Sequence, residues 1–157
     1  YVLDRTTSLC FSMYTHGTEQ QMTDVTLETA TELIDAAKQK AEEIDVPMCI
    51  AVMDEGANLV AFNRMDGALL GSIDIAQNKA YSSVALKLNT EGIHEASQPG
   101  EALYGLGGTN DGRIVTFGGG FPLEDDDGTV VGGIGVSGGS AEEDMDVASA
   151  GVNAFES

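Results

Sequence analysis

The spacing of apolar residues predicts three long helices. Over residues 26–44, apolar side chains recur every three or four positions, which makes one apolar stripe along a helix. Residues 72–88 predict a second long helix that is rich in small side chains, and residues 90–97 a short one. A last helix is expected after Ser140, because Ser140 and Glu143 have the spacing of a capping box. The chain is therefore predicted to contain helices at both ends and in its middle.

Short apolar runs bounded by turn sequences predict the strands. Pro47 precedes the first run, a turn-forming D-E-G-A-N sequence follows it, and three glycines separate the third run from the fourth. The five predicted strands are residues 48–53, 59–65, 113–117, 121–124 and 129–136. Hairpins that alternate with helices predict an α+β domain, with a five-stranded antiparallel sheet covered by helices.

The charge of the chain argues against nucleic acid as a partner and suggests a high-salt environment. The formal net charge is -19, from 26 acidic and 7 basic residues. Such a surface repels phosphates, so we expect no binding to nucleic acid. Acidic residues scattered over a globular domain are typical of a high-salt cytoplasm, where counterions screen their repulsion. The alternative is an ordinary acidic protein from a low-salt organism.

The chain is expected to be one cytoplasmic domain with a tail. Residues 1–21 have no apolar period and are predicted to be an N-terminal tail, and residues 22–157 a single domain. No apolar run approaches the ~20 residues that span a bilayer, so no membrane contact is expected. The two cysteines have no spacing typical of a zinc site or a disulfide framework.

Three features suggest chemistry, and each has a plainer explanation. Gly133, Gly135 and Gly138 match G-x-G-x-x-G, but a dinucleotide site also needs a following strand with an acidic residue, so we expect them to mark close backbone contacts. His94 can ligate a metal or a haem iron, or it is a surface histidine. The acidic residues 125–127 either bind a cation or form a solvated hairpin tip.

Four motifs in order resemble a known family. They read P-x-x-I-A-V-M-D-x-G-x-x-L-V-A-F-x-R-M-D-G (residues 47–67), S-I-D-I-A-x-x-K-A (residues 72–80), F-G-G-G-F-P (residues 117–122) and V-G-G-I-G-V-S-G-G-S-x-E-x-D (residues 131–144). This chain is similar to the GlcG/HbpS-like family, which also supplies the C-terminal domain of PduO-type cobalamin proteins.

The resemblance implies a fold, an assembly and a set of site residues. It implies a profilin-like α+β domain with a five-stranded sheet, homo-oligomers from dimer to octamer, and haem or iron as the cofactor of some members. It implies neither a shared activity nor a shared axial haem ligand. The family's motif positions correspond here to Asp54, Arg64, Asp66, Asp74, Lys79, Gly118, Gly119, Gly120 and Pro122.

The preferred functional hypothesis is a cytoplasmic, oligomeric protein that binds a small ligand, with haem or iron as the candidate. Lys79 is expected in a pocket beside the glycine bend, where an ammonium and backbone N–H groups would suit a carboxylate such as a propionate. One alternative is an enzyme that acts on a small hydroxy or oxo acid. The other is a structural or adaptor module without a ligand.

Overall fold

The computed structural model describes residues 25–157, so the predicted tail and His16 lie outside the described residues. The described chain contains the helices α1 (Leu27–Glu43), α2 (Ser72–Leu86), α3 (Thr90–Ala96) and α4 (Ala141–Phe155). Its strands are β1 (Cys49–Asp54), β2 (Leu59–Arg64), β3 (Gly120–Glu124) and β4 (Val130–Ser137). Two short 3₁₀ turns, Leu106–Gly108 and Asn110–Gly112, lie between α3 and β3. All four predicted helices are present.

The strands form one antiparallel sheet in the order β2-β1-β4-β3. The two hairpins, β1–β2 and β3–β4, are joined through β1 and β4, which lie side by side at the centre. Each strand pair is antiparallel, and the helices pack on the sheet. The prediction of an α+β domain with a helix-covered antiparallel sheet is therefore confirmed.

The predicted number of strands is wrong for the described part of the chain. Residues 113–117 were expected to form a strand, but within residues 25–157 the sheet has four strands and this segment is not one of them. Side chains take up backbone groups that a strand would use for pairing. The N–H of Val115 donates to Ser82 Oγ at 2.9 Å, and the carbonyl of Thr116 lies 2.9 Å from His94 Nδ1. Residues 113–117, although apolar and β-branched, therefore bond to side chains of α2 and α3 instead of to a neighbouring strand.

The sheet is covered by helices on both faces. Successive strand residues point to opposite faces. Ile50, Val52, Ile134 and Val136 belong to the core under α1 and α4, and the alternate β1 residues belong to the core under α2. This explains why β1 reads as an uninterrupted apolar run, because both of its faces are buried.

Helix α2 packs very closely on β4, because β4 carries glycines on that face. A Cβ atom on Gly135 would overlap the carbonyl oxygen of Ala76 and the amide nitrogen of Ala80. A Cβ atom on Gly133 would meet the carbonyl oxygen of Ala80 at 3.0 Å. The expectation that this glycine motif marks close backbone contacts is confirmed. The small side chains of Ala76, Ala80, Ser82 and Ser83 in α2 are buried.

Candidate functional site

A buried lysine lies at the centre of the candidate site. Lys79 is on the face of α2 that packs against the sheet, and none of its surface is exposed to solvent (0%). Its Nζ donates hydrogen bonds to the carbonyl oxygen of Val136 in β4, at 2.8 Å, and to Asp144 Oδ2, at 2.6 Å. A buried ammonium requires such partners, because transferring an isolated charge out of water is very costly.

Its counter-ion, Asp144, lies in the first turn of α4. Ser140 caps this helix in a capping box with Glu143, as its sequence predicts. The N-terminal end of a helix favours a carboxylate, and Asp144 Oδ1 also accepts a hydrogen bond from the N–H of Gly139 at 2.9 Å. The pair Lys79–Asp144 therefore joins α2, β4 and α4 in the interior of the molecule.

Burial and pairing act on the pKa values of this pair in opposite directions. Burial lowers the pKa of Lys79, and the adjacent Asp144 carboxylate opposes that shift. Burial raises the pKa of Asp144, and the Lys79 ammonium and the N–H of Gly139 oppose that shift. Without its partner, each group would be driven further towards its neutral form. The charges of the two residues are thus mutually dependent.

The glycine bend, residues 118–120, crosses directly over this ion pair. Gly119 has φ +113°, and a Cβ atom there would lie 2.7 Å from Lys79 Nζ and 2.8 Å from the carbonyl oxygen of Val136. The N–H of Gly120 donates to Thr90 Oγ1 at 2.8 Å, which connects the bend to α3. The bend needs glycine at position 119 both for its backbone conformation and for the space above the ion pair.

An aromatic ring borders the pair on the solvent side. The centroid of the Phe117 ring lies 4.9 Å from Lys79 Nζ, which is within cation–π distance. Phe117 is 42% exposed, whereas the lysine beneath it is buried. The ring therefore presents an apolar surface to solvent and a second, inner contact to the ammonium.

The predicted location of Lys79 is correct, and its environment differs from the expected one. It lies beside the glycine bend, but its ammonium is directed at Val136, Asp144 and the Phe117 ring rather than at an open pocket. Asp144 and Phe117 were quoted in the family motifs but not singled out. The sequence does indicate that Asp144 faces the core, because Val147 and Ala148, three and four positions later, lie on the apolar stripe of α4.

The remaining predicted residues are not all brought to this cluster. Asp54 lies at the other end of β1 and organises the β1–β2 turn, where Oδ1 accepts hydrogen bonds from the N–H groups of Gly56 and Asn58. Pro122 pairs with Gly133 in the sheet, two residues beyond the bend. Neither residue is a hydrogen-bond partner of Lys79, which bonds to Val136 and Asp144.

Arg64, Asp66 and Asp74 lie near the surface. Arg64 ends β2, two strands away from β4, and its Nη2 donates to the carbonyl oxygen of Ala68 at 3.1 Å. Asp66 is exposed in the following loop, and Asp74 is exposed in the first turn of α2. Lys79 pairs with Asp144 and not with Asp74 of its own helix. A ligand role for these residues stays a prediction.

His94 is held in α3 with a defined orientation. Its Nδ1 lies 2.9 Å from the carbonyl oxygen of Thr116, the residue before Phe117. Gln98 Nε2 donates to the carbonyl oxygen of His94 at 2.9 Å. Asn89 caps the helix by accepting a hydrogen bond from the N–H of Gly92. The imidazole therefore connects α3 to the segment that carries the exposed aromatic ring.

Residues 25–157 contain neither a cluster of metal-ligating side chains nor a membrane-spanning helix. No three side chains among the His, Cys, Asp and Glu residues of this part lie close enough together to hold a metal ion. None of the helices in this part combines the length and the apolar character that crossing a membrane requires. The acidic hairpin tip at residues 125–127 thus shows no metal cluster, and Asp125 Oδ1 instead accepts hydrogen bonds from the N–H groups of Asp127 and Thr129.

Comparison with known proteins agrees with the resemblance seen in the motifs. Residues 25–153 match the family model described as "Haem degrading protein HbpS-like". An uncharacterised 15.0 kDa protein from the dhaT–dhaS intergenic region of Citrobacter freundii is 44% identical over 136 residues, which cover 87% of this chain and 95% of that protein. The corrinoid adenosyltransferase PduO of the same organism is 40% identical over 141 residues, which cover 90% of this chain but only 42% of PduO.

One of the similar solved structures is a complex with haem. The crystal structure of a PduOC–haem complex superimposes with a TM-score of 0.80 at 39% identity, covering 83% of this chain and 94% of that one. That protein binds haem, as its description states. The α+β architecture with an antiparallel sheet is therefore shared with a haem complex.

Proposed function

Because the chain belongs to the HbpS-like family, we propose that it is a homo-oligomeric protein that binds a small ligand, and that this ligand is haem. The observation that carries the proposal is the likeness to the PduOC–haem complex over most of both chains. The whole PduO protein is more than twice as long as the matched segment, so its adenosyltransferase activity forms no part of the proposal. Cytoplasmic location is retained as a prediction.

The exposed apolar side chains around α3 support haem as the ligand. Haem is a large, flat and mostly apolar molecule, and sites for such ligands are lined by apolar and aromatic side chains. Leu103, Tyr104 and Phe117 are all exposed. The segments that carry them are attached to α3, through the hydrogen bond from Leu103 N to the carbonyl oxygen of Ala96 and through the contact of Thr116 with His94. We propose the surface formed by Leu103, Tyr104 and Phe117 as the haem-binding surface.

The Lys79–Asp144 pair has an indirect role in this proposal. Phe117 contacts Lys79, and Gly119 lies directly over the ion pair, so the pair sets the position of the segment that bears the aromatic ring. The predicted direct contact of Lys79 with a carboxylate would require its ammonium to exchange Asp144 for the ligand. A variant at Lys79 is therefore expected to weaken haem binding mainly by displacing Phe117.

The proposal of a homo-oligomer rests on a different surface. Leu69 and Leu70 precede α2 and are 66% and 77% exposed. Two adjacent exposed leucines contribute to an apolar patch, and contiguous apolar patches mark sites of protein–protein contact. We expect them to contribute to contacts between subunits.

A titration with ferric haem tests the proposed ligand. We expect saturable binding, followed by absorbance, and elution of haem with the protein in gel filtration. The Tyr104→Ser/Phe117→Ser double variant should bind at least about tenfold more weakly, a loss of about 1.4 kcal/mol. Leu27→Ser is the matched control, because Leu27 is a comparably exposed apolar residue (65%) on α1, on the other face of the sheet. Absence of saturable binding by the parent, or an equal loss in the control, would contradict the proposal.

A further inference from the structure

We infer that His94 is the axial ligand of the haem iron and that it coordinates through Nε2. This inference rests on the proposed function and assigns a residue that the family resemblance leaves open. A haem iron takes four nitrogen atoms from its porphyrin, so one histidine from the protein is a sufficient axial ligand.

The contacts of Nδ1 indicate which nitrogen atom is available. Nδ1 has two neighbours, the carbonyl oxygen of Thr116 at 2.9 Å and the side-chain nitrogen Nε2 of Gln98 at 3.2 Å. A carbonyl oxygen can only accept a hydrogen bond and an amide nitrogen can only donate one, so the two contacts favour opposite tautomers. The contact to Thr116 is the shorter one, and it favours the tautomer with the proton on Nδ1 and the lone pair on Nε2. Histidines that bind metals usually donate their other ring N–H to a carbonyl or carboxylate group, and that hydrogen bond fixes the ring and raises its basicity.

In a haem complex, Nε2 of His94 would supply the lone pair that binds the iron, and Nδ1 would keep its proton in the hydrogen bond to Thr116. Binding of this kind would need no oxidant, no reductant and no proton transfer. A water molecule or another exogenous ligand would leave the iron in exchange.

The surroundings of His94 support a prearranged ligand rather than a mobile surface side chain. His94 is partly buried, and α3 is anchored by the buried residues Thr90 and Ile93. Thr116 holds its ring on one side, and the next residue is the exposed Phe117. The segment with Leu103 and Tyr104 begins at a hydrogen bond to Ala96, two residues after His94. His94 therefore lies on the helix to which both segments of the proposed haem-binding surface are hydrogen-bonded.

The two histidines of the chain provide a matched comparison. The full chain, His94→Ala, His94→Gln and His16→Ala are each titrated with ferric haem in high salt. Total binding is measured by gel filtration, and ligation by the Soret spectrum and by electron paramagnetic resonance. His94→Gln matters because its amide N–H can still donate to Thr116 O, while its side chain supplies no imidazole. Circular dichroism and thermal melting show whether each variant is folded.

We expect the parent and His16→Ala to give the same signature of a nitrogen ligand, and both His94 variants to lose it. Loss of groups around metal ligands typically costs 10- to 100-fold in affinity, so loss of the ligand itself should cost at least about tenfold. Imidazole added to folded His94→Ala should restore the nitrogen signature.

The outcomes separate this inference from the proposed function. If the parent binds no haem, the proposed function is wrong, and the inference falls with it. If the parent binds haem and folded His94→Gln keeps the nitrogen signature, the inference is overturned while the proposed function stands. Loss of the signature in His16→Ala, with His94→Gln unchanged, would assign the iron to the other histidine and overturn the inference as well.

Discussion

Removal of the negative charge from Asp144 should destabilise the protein strongly. In Asp144→Asn, the amide occupies nearly the same volume as the carboxylate, but the Lys79 ammonium loses its counter-ion. Both side chains are almost completely buried, with exposures of 0% for Lys79 and 4% for Asp144. Loss of one partner from a buried ion pair typically costs about 3–5 kcal/mol, because the other charge is left without compensation. For a chain of this length, that corresponds to a fall in melting temperature of roughly 6–20 °C.

The dependence of this loss on pH follows from the direction of the pKa shift. In the folded Asp144→Asn variant, burial of Lys79 is no longer opposed by a carboxylate, so its pKa falls further below the ordinary value of 10.5. Between that lowered pKa and 10.5, the unfolded state binds more protons than the folded state, so stability rises with pH. The loss of stability relative to the parent should therefore be largest near pH 7 and smaller at pH 10. Within that interval the loss should shrink by up to ~1.4 kcal/mol for each pH unit.

The reciprocal variant, Lys79→Met, should show the opposite dependence. It leaves Asp144 buried without its ammonium, so the pKa of this carboxyl rises further above the ordinary value of 3.8. In that interval the folded state binds more protons than the unfolded state, so stability falls as the pH rises. The loss of stability in Lys79→Met should therefore be smaller near pH 4 than at pH 7.

Chemical and thermal denaturation at three pH values would test these expectations, in a buffer with high salt. The control is Glu42→Gln, which breaks the exposed Lys38–Glu42 pair (3.5 Å; side-chain exposures 43% and 57%) and should cost less than about 1 kcal/mol. The double variant Lys79→Met/Asp144→Asn should lose much less than the sum of the two single losses, because no unpaired charge remains. Additive losses, or a loss in Asp144→Asn no larger than that in Glu42→Gln, would refute the role given to this ion pair.

Three further predictions concern backbone, charge and assembly. Gly119→Ala should lower the free energy of unfolding by more than about 2 kcal/mol, since φ is +113° and the new Cβ would meet Lys79 Nζ. The control Gly112→Ala, with φ +75° and open space around it, should lower it by only ~1 kcal/mol. Equal losses in denaturation experiments would count against the steric argument. Because the net charge is -19, the melting temperature should rise steeply from ~0.1 M to multimolar KCl, and a flat profile would argue against adaptation to high salt. Light scattering at micromolar concentration in high salt should detect a homo-oligomer that Leu70→Asp weakens; a monomeric parent would show this expectation to be wrong.

The ion pair and the proposed haem-binding surface are connected through the glycine bend. Lys79 contacts Phe117 from below, and Gly120 donates a hydrogen bond to Thr90 at the start of α3. A change at Asp144 should therefore be transmitted to the Phe117 segment. Through this connection, the almost completely buried Asp144 would influence a ligand bound at the proposed haem-binding surface.

Local patterns were sufficient for the helices and the class of the fold. The apolar stripe of α1 and the capping box of α4 depend on neighbours three or four positions apart, so both can be read directly from the order of residues. The apolar run of β1 likewise indicated a strand buried on both faces. The motifs around Lys79 and the glycine bend indicated where the candidate site lies, though not which charges meet there.

Long-range contacts decided the features that those patterns missed. Asp144 is 65 positions from Lys79, and nothing in the spacing of either helix reveals their pairing. The sequence of residues 113–117 favours a strand, but Ser82 and His94, which are distant in the chain, bind its backbone groups instead. The contact between Thr116 and His94 also orients the imidazole ring. Local propensities act over a few residues, whereas burial of a charge or a backbone group is compensated by whichever partner the folded chain brings into contact.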